Sequence, residues 1–246
     1  MNDWFEWNGK KCGEYGIRAV ELPPPIFAQE RITWKSVAGR SGALAMLEGK
    51  AVYEDLTLSA KCRIDDMTRV AEIGAWLTGG GEVKFANRSA GYYKGRISSA
   101  IELAQIVQGH AQREFTVSWR VQPYLYLSSA PEIVLSAANL VGGYEITNAG
   151  TAASLPRLEI TGSGDFSITL GGQMVLLTDV SGGIVLDGEL QDALSTDGAQ
   201  LLNDHMSGDF PEIPTGKSTI SWAAFDGNDN AGSVTQIKIL PRWRCR

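Results

Sequence analysis

Glycine interrupts this chain so often that only short extended segments fit between its turns. The 246 residues include 28 glycines, and these separate short apolar runs. In the clearest run, residues 53–64, apolar side chains such as Leu56 and Leu58 alternate with polar ones. Such alternation is typical of a strand with one face buried, and frequent turns are typical of all-β proteins. The sequence therefore predicts a mainly β fold.

One segment has the periodicity of a helix. Apolar residues at spacings of three and four form a stripe made of Met67, Val70, Ile73, Trp76 and Leu77. Asp65 or Asp66 is placed to cap the N-terminus, and Gly79-Gly80-Gly81 is placed to end the helix. We therefore predict one α-helix near residues 66–78, with its aromatic and methionine side chains in the core.

Charge divides the chain near its middle. Residues 1–125 contain 16 Lys and Arg against 14 Asp and Glu, whereas residues 126–246 contain 6 against 14. The net charges are therefore +2 and −8, which together give the −6 of the whole chain. This asymmetry favours two domains with different neighbours. With a junction near residues 128–131, we predict an N-terminal β-rich, barrel- or sandwich-like domain with the helix (1–130) and a C-terminal β-sandwich (131–246).

Composition excludes several classes of protein. Neither half is basic enough to neutralise the phosphates of a nucleic acid. Cys12, Cys62 and Cys245 are widely spaced and match neither a disulfide framework nor a zinc-binding pattern, which fits synthesis in a reducing cytosol. The chain opens without a secretory leader and lacks the apolar run of about 18 residues that spans a membrane. We expect a soluble protein made in the cytoplasm, without membrane insertion.

Two segments resemble ligand-binding loops but lack their essential residues. Gly216–Thr219 has the ending of a phosphate-binding loop, yet the required earlier glycine is Pro211, and the following residues alternate as a strand. The polar segment 226–230 is rich in oxygen ligands, but a calcium loop would need glycine at Ala231 and glutamate at Ile237. We interpret the first as a turn entering a strand and the second as a polar hairpin loop. The sequence predicts no metal and no cofactor.

Three further groups could suggest catalysis, and each has a simpler interpretation. Gly162–Asp165 lacks the third glycine and the helix of a dinucleotide site and is interpreted as a turn. The Asp204 carboxylate could orient the His205 imidazole as a catalytic base, but no serine lies in a nucleophile elbow. Asp187 and Glu189 could act as a glycosidase pair, but side chains two apart on a strand share one face. We therefore predict no catalytic residues and no enzymatic activity.

Tryptophan leaves one alternative open. The chain has 7 Trp, and exposed tryptophan on a β-sandwich can stack on sugar rings. Only Trp222 and Trp243 belong to the second domain, and the others lie in the first, where packing explains them. A glycan-binding module that contacts the host cell wall is therefore the alternative function, and it predicts that one of these two residues is exposed in a groove.

Short motifs in a fixed order give the sequence a family resemblance. In the first part they are Trp4-Phe5, Asn8-Gly9, Tyr15-Gly16-Ile17, the segment Gly39 to Leu44, Tyr53-Glu54-Asp55, Ala75-Trp76-Leu77 and Gln122-Pro123. In the second part they are Asn148 to Thr151, Leu155-Pro156, Gly162 to Asp165, Ile184 to Asp187, Met206 to Pro211 and Pro241 to Arg244. Taken together, they resemble the distal tail proteins of siphophages, which are hub components of the phage tail.

The resemblance implies a structural component of the virion tail, encoded by a phage or prophage and synthesised in the bacterial cytoplasm. Six copies would close into a ring through their N-terminal domains, with a galectin-like C-terminal β-sandwich on the outside. The ring would join the tail tube protein to a tail-tip or tail-associated hydrolase protein and leave a channel through which DNA passes as cargo. Some relatives carry a carbohydrate-binding insertion, and 246 residues leave no room for one here.

The resemblance also directs attention to one candidate interface. Gly39, Arg40, Gly42 and Leu44 belong to a glycine-rich segment that we expect to form a loop or arm reaching a neighbouring subunit. Glycine allows the backbone shapes that such a loop needs, and the exposed edges of a β-rich domain are templates for pairing between copies.

Overall fold

The computed structural model describes residues 3–47, 52–105, 111–225 and 230–246. The chain divides into two compact units, a first unit that runs to Tyr126 and includes Arg246, and a second unit formed by Leu127–Cys245. Both units consist mainly of strands, and the predicted mainly β fold class is confirmed. The assignment of residues 1–130 and 131–246 as domains with separate roles stays a prediction.

The first unit is a curled antiparallel sheet with one α-helix. Its strands are β1 (Phe5–Trp7), β2 (Lys10–Lys11), β3 (Ile17–Glu21), β4 (Thr33–Ser36), β5 (Ala43–Met46), β6 (Leu56–Ile64), β7 (Gly80–Phe85), β8 (Gly91–Ile97), β9 (Ala104–Gln105) and β10 (Arg113–Val121). Its helix is α1 (Val70–Trp76), and two short 3₁₀ helices cover Cys12–Tyr15 and Ala86–Arg88. The main sheet has the order β2-β1-β7-β8-β10-β6-β3. Strand β11 (Leu125–Leu127) follows at the boundary.

Alternation places the core on one face of this sheet. Strand β6 alternates buried and solvent-facing positions as the sequence predicts, and β10 pairs with it over nine consecutive positions from Arg113↔Ile64 to Val121↔Leu56. The largest buried side chains come from strands of this same sheet, namely Trp7, Trp119, Phe5 and Phe85. The opposite face of the sheet carries charged residues of these strands, among them Lys61, Lys94 and Arg120.

The Asn8-Gly9 turn joins β1 to β2, and its Asn8 forms hydrogen bonds with the neighbouring strand β7. Asn8 has φ 51° and Gly9 φ 78°, as a two-residue hairpin turn requires. The Asn8 backbone N–H donates to the Glu82 carbonyl at 3.0 Å, and its side-chain Oδ1 accepts from the Glu82 N–H at 2.9 Å. A Cβ on Gly81 would lie 1.7 Å from that Oδ1. Glycine at 81 is therefore required by the asparagine that faces it.

The helix is shorter than the sequence predicts at both ends. The Asp66 carboxylate accepts hydrogen bonds from the N–H and hydroxyl of Thr68, at 2.9 and 2.8 Å, so it stabilises a turn instead of capping a helix. Helix α1 begins only at Val70. At the other end it stops at Trp76, and Gly80 and Gly81 already belong to β7 instead of ending the helix.

An aromatic stack fixes this short helix to the sheet. Trp76 lies between Tyr15, whose ring centroid is 4.3 Å away at 11°, and Phe5, at 5.7 Å and 7°. Its indole Nε1 donates to the Trp7 carbonyl at 3.0 Å. The Arg69 guanidinium covers the outer face of Tyr15 at 5.1 Å. A seven-residue helix is too short to be stable alone, so tertiary packing of Trp76 holds it in place.

The second unit is a β-sandwich with one helical turn. Its strands are β12 (Ile133–Ser136), β13 (Tyr144–Asn148), β14 (Arg157–Leu170), β15 (Gln173–Val180), β16 (Ile184–Asp187), β17 (Asp192–Leu194), β18 (Met206–Ser207), β19 (Gly216–Ala224), β20 (Ser233–Leu240) and β21 (Arg244–Cys245). Helix α2 covers Ala137–Leu140, and a 3₁₀ helix covers Asn203–His205. The core is made of aliphatic side chains from both layers together with Phe166 and Trp243.

Strand β14 corrects the prediction of a turn at Gly162–Asp165. The structure has one continuous strand of 14 residues here, with register shifts at Thr161/Gly162 and at Gly164/Phe166. Its first half pairs with β20 and β16, and its second half pairs with β19 and β15. The two glycines therefore mark bulges, which bend a strand and increase its twist, and β14 passes from one layer of the sandwich to the other.

Asp165 holds this bend in place. It is 4% exposed, and its carboxylate accepts the Asp179 N–H at 2.8 Å. Its own carbonyl accepts the N–H groups of Phe225 and Gly232, at 3.0 and 2.9 Å. A buried carboxylate that stabilises a bend looks in sequence like a polar turn residue, which explains why the sequence predicts a turn at this point.

Candidate subunit interface

The glycine-rich segment of the sequence forms the end of a separate β-hairpin. Among the described residues, strands β4 and β5 pair only with each other, from Thr33↔Met46 to Ser36↔Ala43. Gly39 and Gly42 have φ 78° and 79°, which favours glycine at both positions. The structure thus brings the four predicted interface residues together, with Gly39, Arg40 and Gly42 in the connecting loop and Leu44 on β5.

The base of the hairpin is anchored to the first unit. The Arg31 N–H donates to the Val52 carbonyl at 2.7 Å, and the Glu54 N–H donates to the Gln29 carbonyl at 2.9 Å. Arg31 Nε also forms an ion pair with Glu54 Oε1 at 2.8 Å. Asp55 accepts from Arg120 Nε at 2.8 Å. The Tyr53-Glu54-Asp55 motif therefore fixes the position from which the hairpin extends.

Beyond this base, every residue of β4 and β5 is exposed. The exposed side chains include large apolar ones, with 65% of Trp34, 38% of Leu44, 48% of Met46 and 57% of Leu47 accessible. A two-stranded hairpin is marginally stable alone in water, and contiguous exposed apolar surface is typical of sites that bind another protein.

The register places apolar side chains on both faces of the hairpin. Residues opposite each other on paired strands project to the same face. Trp34 therefore shares a face with Ala45, and Leu44 shares the other with Lys35. The sequence prediction included Leu44 but missed Trp34 and Met46. The signal for both is the pair of short apolar segments on either side of the glycine-rich loop.

Arg40 lies at the tip of the hairpin. Its backbone N–H donates to the Val37 carbonyl at 3.2 Å, which closes the turn. Within residues 3–47, 52–105, 111–225 and 230–246, its side chain makes no hydrogen bond and no ion pair. The guanidinium is thus available for a contact outside this chain.

Gly216–Thr219 are the first residues of β19, so the predicted strand is present but it already includes the segment predicted as a turn. Of the polar segment 226–230, residues 226–229 lie outside the described residues. His205 Nδ1 lies 2.9 Å from the Thr178 carbonyl, and its Nε2 is 3.9 Å from Asp204 Oδ1, too far for a hydrogen bond. Across the described part of the chain, no group of three His, Cys, Asp or Glu side chains is placed to hold a metal ion.

Asp187 and Glu189 do not line an open cleft. Asp187 is 2% exposed, and Arg242 donates to both of its carboxylate oxygens, at 2.6 and 2.8 Å. Glu189 Oε2 lies 3.6 Å from the same guanidinium. Burial acts to raise the pKa of Asp187, but the hydrogen bonds from Arg242 and from two backbone N–H groups outweigh it and hold that pKa below its ordinary value.

The tryptophans of the second unit are packed inward. Trp243 is 5% exposed and belongs to the core, and the partly buried Trp222 packs against it. In the described part of the chain, no helix is long and apolar enough to cross a membrane.

No protein-family model matches the chain, and no curated protein sequence matches it. The fold, however, is that of a phage distal tail protein, which confirms the resemblance at the level of fold. Among solved structures the chain is similar to the SPP1 Dit (gp 19.1) protein, described as a paradigm of the hub adsorption apparatus in Gram-positive infecting phages. The TM-score is 0.69 at 11% identity, over 97% of this chain and 98% of that chain.

Proposed function

We propose that this protein is a structural component of a siphophage tail hub, acting without enzymatic activity in the virion tail. The observation that carries the proposal is the fold similarity to SPP1 Dit over 97% of this chain and 98% of the other. Both units and their order in the chain are therefore included in the similarity. The sequence motifs, the exposed hairpin and the inward packing of Trp243 agree with an assembly role.

The proposed assembly is a homo-hexameric ring that leaves a channel for DNA. A ring of identical copies needs two different surfaces on each copy that meet head to tail and close. The β4–β5 hairpin, with Gly39, Arg40, Gly42 and Leu44, supplies one such surface because it extends from a fixed base and exposes apolar side chains on both faces. Burying these side chains against a neighbouring copy supplies the hydrophobic driving force for association.

The ring would join the tail tube protein on one side to a tail-tip or tail-associated hydrolase protein on the other. The charge difference between the two parts of the chain, +2 over residues 1–125 and −8 over residues 126–246, fits two regions with different neighbours. An acidic surface also resists binding to DNA.

Native mass spectrometry of the purified protein over a concentration series tests the proposal, together with negative-stain imaging of any large species. We expect a hexamer with a central hole. A chain that stays monomeric both alone and with the tube and tip proteins of the same phage would contradict the ring. A monomer that instead bound a panel of cell-wall glycans would favour the glycan-binding module.

A further inference from the structure

A charged groove lies on the outer face of the first unit's sheet and includes Asp55 at the base of the hairpin. Its volume is about 610 Å³, and it extends across β7, β8 and β10. Three cations line it, Lys94, Arg96 and Arg120, together with the carboxylates Asp55 and Glu82. Gly80 and Gly81 of β7 and Gly95 of β8 line it. These glycines have no side chains, which leaves the groove open at their positions.

Two of the three cations are already held by neighbours. Arg120 Nε donates to Asp55 Oδ2 at 2.8 Å. Lys94 Nζ lies 4.3 Å from the centroid of the Tyr126 ring, a cation–π distance, and it faces Glu82 across the β7–β8 pair. Arg96 differs, because its side chain makes no hydrogen bond or ion pair within the described parts of the chain.

The position of Arg96 leaves its charge uncompensated. It stands directly opposite Arg120 in the β8–β10 pair, and like charges in that position are destabilising. On the other side it faces Gly80, where a Cβ would lie 3.2 Å from Arg96 Cγ and 3.4 Å from Nη1. The guanidinium therefore lies over bare backbone, next to a second cation, with one positive charge in excess in the groove.

We propose that this groove binds an extended acidic segment of a partner protein, with Arg96 receiving a carboxylate of that segment. A planar guanidinium donates two parallel hydrogen bonds to a carboxylate, and the ligand charge would also relieve the repulsion between Arg96 and Arg120. The two carboxylates of the groove, Asp55 and Glu82, repel a polyphosphate chain, so charge complementarity favours isolated carboxylates over DNA.

The hairpin of a second copy does not supply the ligand. Residues 33–46 contain Lys35 and Arg40 and no Asp or Glu, so the proposed contact between copies brings cations, which the groove would repel. The hairpin of a neighbouring copy is therefore not the occupant, and the groove is a second interaction surface, separate from the hairpin contact.

Isothermal titration calorimetry of the full chain with a capped hexapeptide of alternating Glu and Gly tests the proposal. We expect binding whose affinity falls as added salt screens the charges. In Arg96→Gln the affinity should fall about tenfold, because one charge-assisted hydrogen-bonded contact is lost. Arg96→Lys keeps the charge and should bind with intermediate affinity. Lys61→Gln is the matched control, because Lys61 is a surface cation of β6 whose partner is Glu114, at 3.2 Å.

Four results would overturn the proposal. The first is equal affinity of the peptide for Arg96→Gln and the unchanged protein, with circular dichroism showing both folded. The second is the absence of charge-dependent binding, seen either as no binding at millimolar peptide or as equal binding of a Gln-for-Glu peptide. The third is tighter binding of oligothymidylate, which would assign the groove to nucleic acid. The fourth is a change in oligomeric state of Arg96→Gln in native mass spectrometry, which would assign it to a second copy.

Discussion

Arg242 donates two hydrogen bonds to the carboxylate of Asp187, at 2.6 and 2.8 Å, although the two residues are 55 positions apart in the chain. Arg242 adopts φ 50°, a conformation rare for residues other than glycine, and Asp187 also accepts the N–H groups of Glu189 and Leu190. The two residues belong to two of the motifs on which the family resemblance depends. Their contact shows that these two motifs bind the segment Pro241 to Arg244 to the sandwich.

Removing one partner of this pair should destabilise the second unit. In Asp187→Ala the Arg242 cation, whose side chain is 22% exposed, loses its main partner while Glu189 stays nearby. Breaking a buried pair costs about 3–5 kcal/mol, and the remaining glutamate places this variant near the lower limit of that range. Urea unfolding followed by circular dichroism measures the loss. Asp204→Ala, at a side chain 82% exposed, should stay within about 0.5 kcal/mol of the unchanged protein.

The same pair makes stability depend on pH in a defined direction. The folded-state pKa of Asp187 lies below its ordinary value of 3.8, so the stabilisation is fully present above the unfolded-state pKa. It is lost as the pH falls through the lower folded-state value. The difference in unfolding free energy between the unchanged protein and Asp187→Asn should therefore be constant from about pH 7 to about pH 5 and narrow below about pH 4. A difference that widened in acid would contradict this assignment.

The Asp187–Arg242 contact also shows where sequence reasoning reaches its limit. Local patterns predict β6, because alternation depends only on neighbouring residues. They do not predict that Asp187 is buried, since its partner is remote in the chain. For the same reason Gly162–Asp165 is predicted as a turn, because a bulge glycine and a turn glycine look alike until the paired strands are known.

The candidate interface was predictable in part. The sequence identifies Gly39 and Gly42 because the need for positive φ is local, and Arg40 lies between them. The apolar segments beside the loop draw attention to Trp34, but its exposure was not predictable, because a tryptophan in a strand normally packs in a core. Only the structure, in which β4 and β5 lie outside the main sheet, shows that neither core cluster of the described residues covers it.

The aromatic stack predicts a large effect at Trp76. Trp76→Ala removes two stacked ring contacts and the hydrogen bond to Trp7, and we expect a loss of about 3 kcal/mol, because Trp-to-Ala changes in cores cost about 3–5 kcal/mol and this side chain is partly exposed. Trp76→Phe keeps the stacking but not the N–H donor and should cost about 1 kcal/mol. Thermal unfolding measures both. An equal loss in the two variants would show that the hydrogen bond, not the stacking, fixes α1.

Two glycines of the first unit should respond in opposite directions to alanine. A Cβ on Gly95 would lie 2.3 Å from the Arg120 carbonyl oxygen, and backbone cannot move aside cheaply, so Gly95→Ala should cost more than about 2 kcal/mol. Gly74 lies inside α1 with nothing within 4 Å of its Cβ position. Gly74→Ala should therefore stabilise the protein by about 0.5–1 kcal/mol. Urea unfolding of the pair checks both signs in the same background.

The three cysteines should differ sharply in reactivity. Burial, together with the neighbouring Cys12, raises the pKa of Cys62 to about 12, and burial also raises that of Cys12. The reactive thiolate is therefore scarce at both positions, whereas Cys245 is partly exposed. Ellman's reagent should modify one thiol per folded chain and all three after unfolding in urea. Cys245→Ser should abolish the rapid reaction, and fast modification that persisted in this variant would show that the first unit opens readily.

Substitutions in the β4–β5 hairpin should impair assembly without changing the folding of the monomer. Trp34→Ser with Leu44→Ser removes apolar surface from both faces of a hairpin whose strands are exposed throughout, so thermal stability of the monomer should change little. If the hairpin buries these side chains against a neighbour, the hexamer fraction in native mass spectrometry should fall at least tenfold, because burying each large apolar side chain contributes about 1.5–3 kcal/mol. Met174→Ser is the matched control, since Met174 is also 65% exposed but lies in the second unit. A double variant that still assembled like the control would move the interface away from the hairpin, and the free edge of β3 would be the next surface to test.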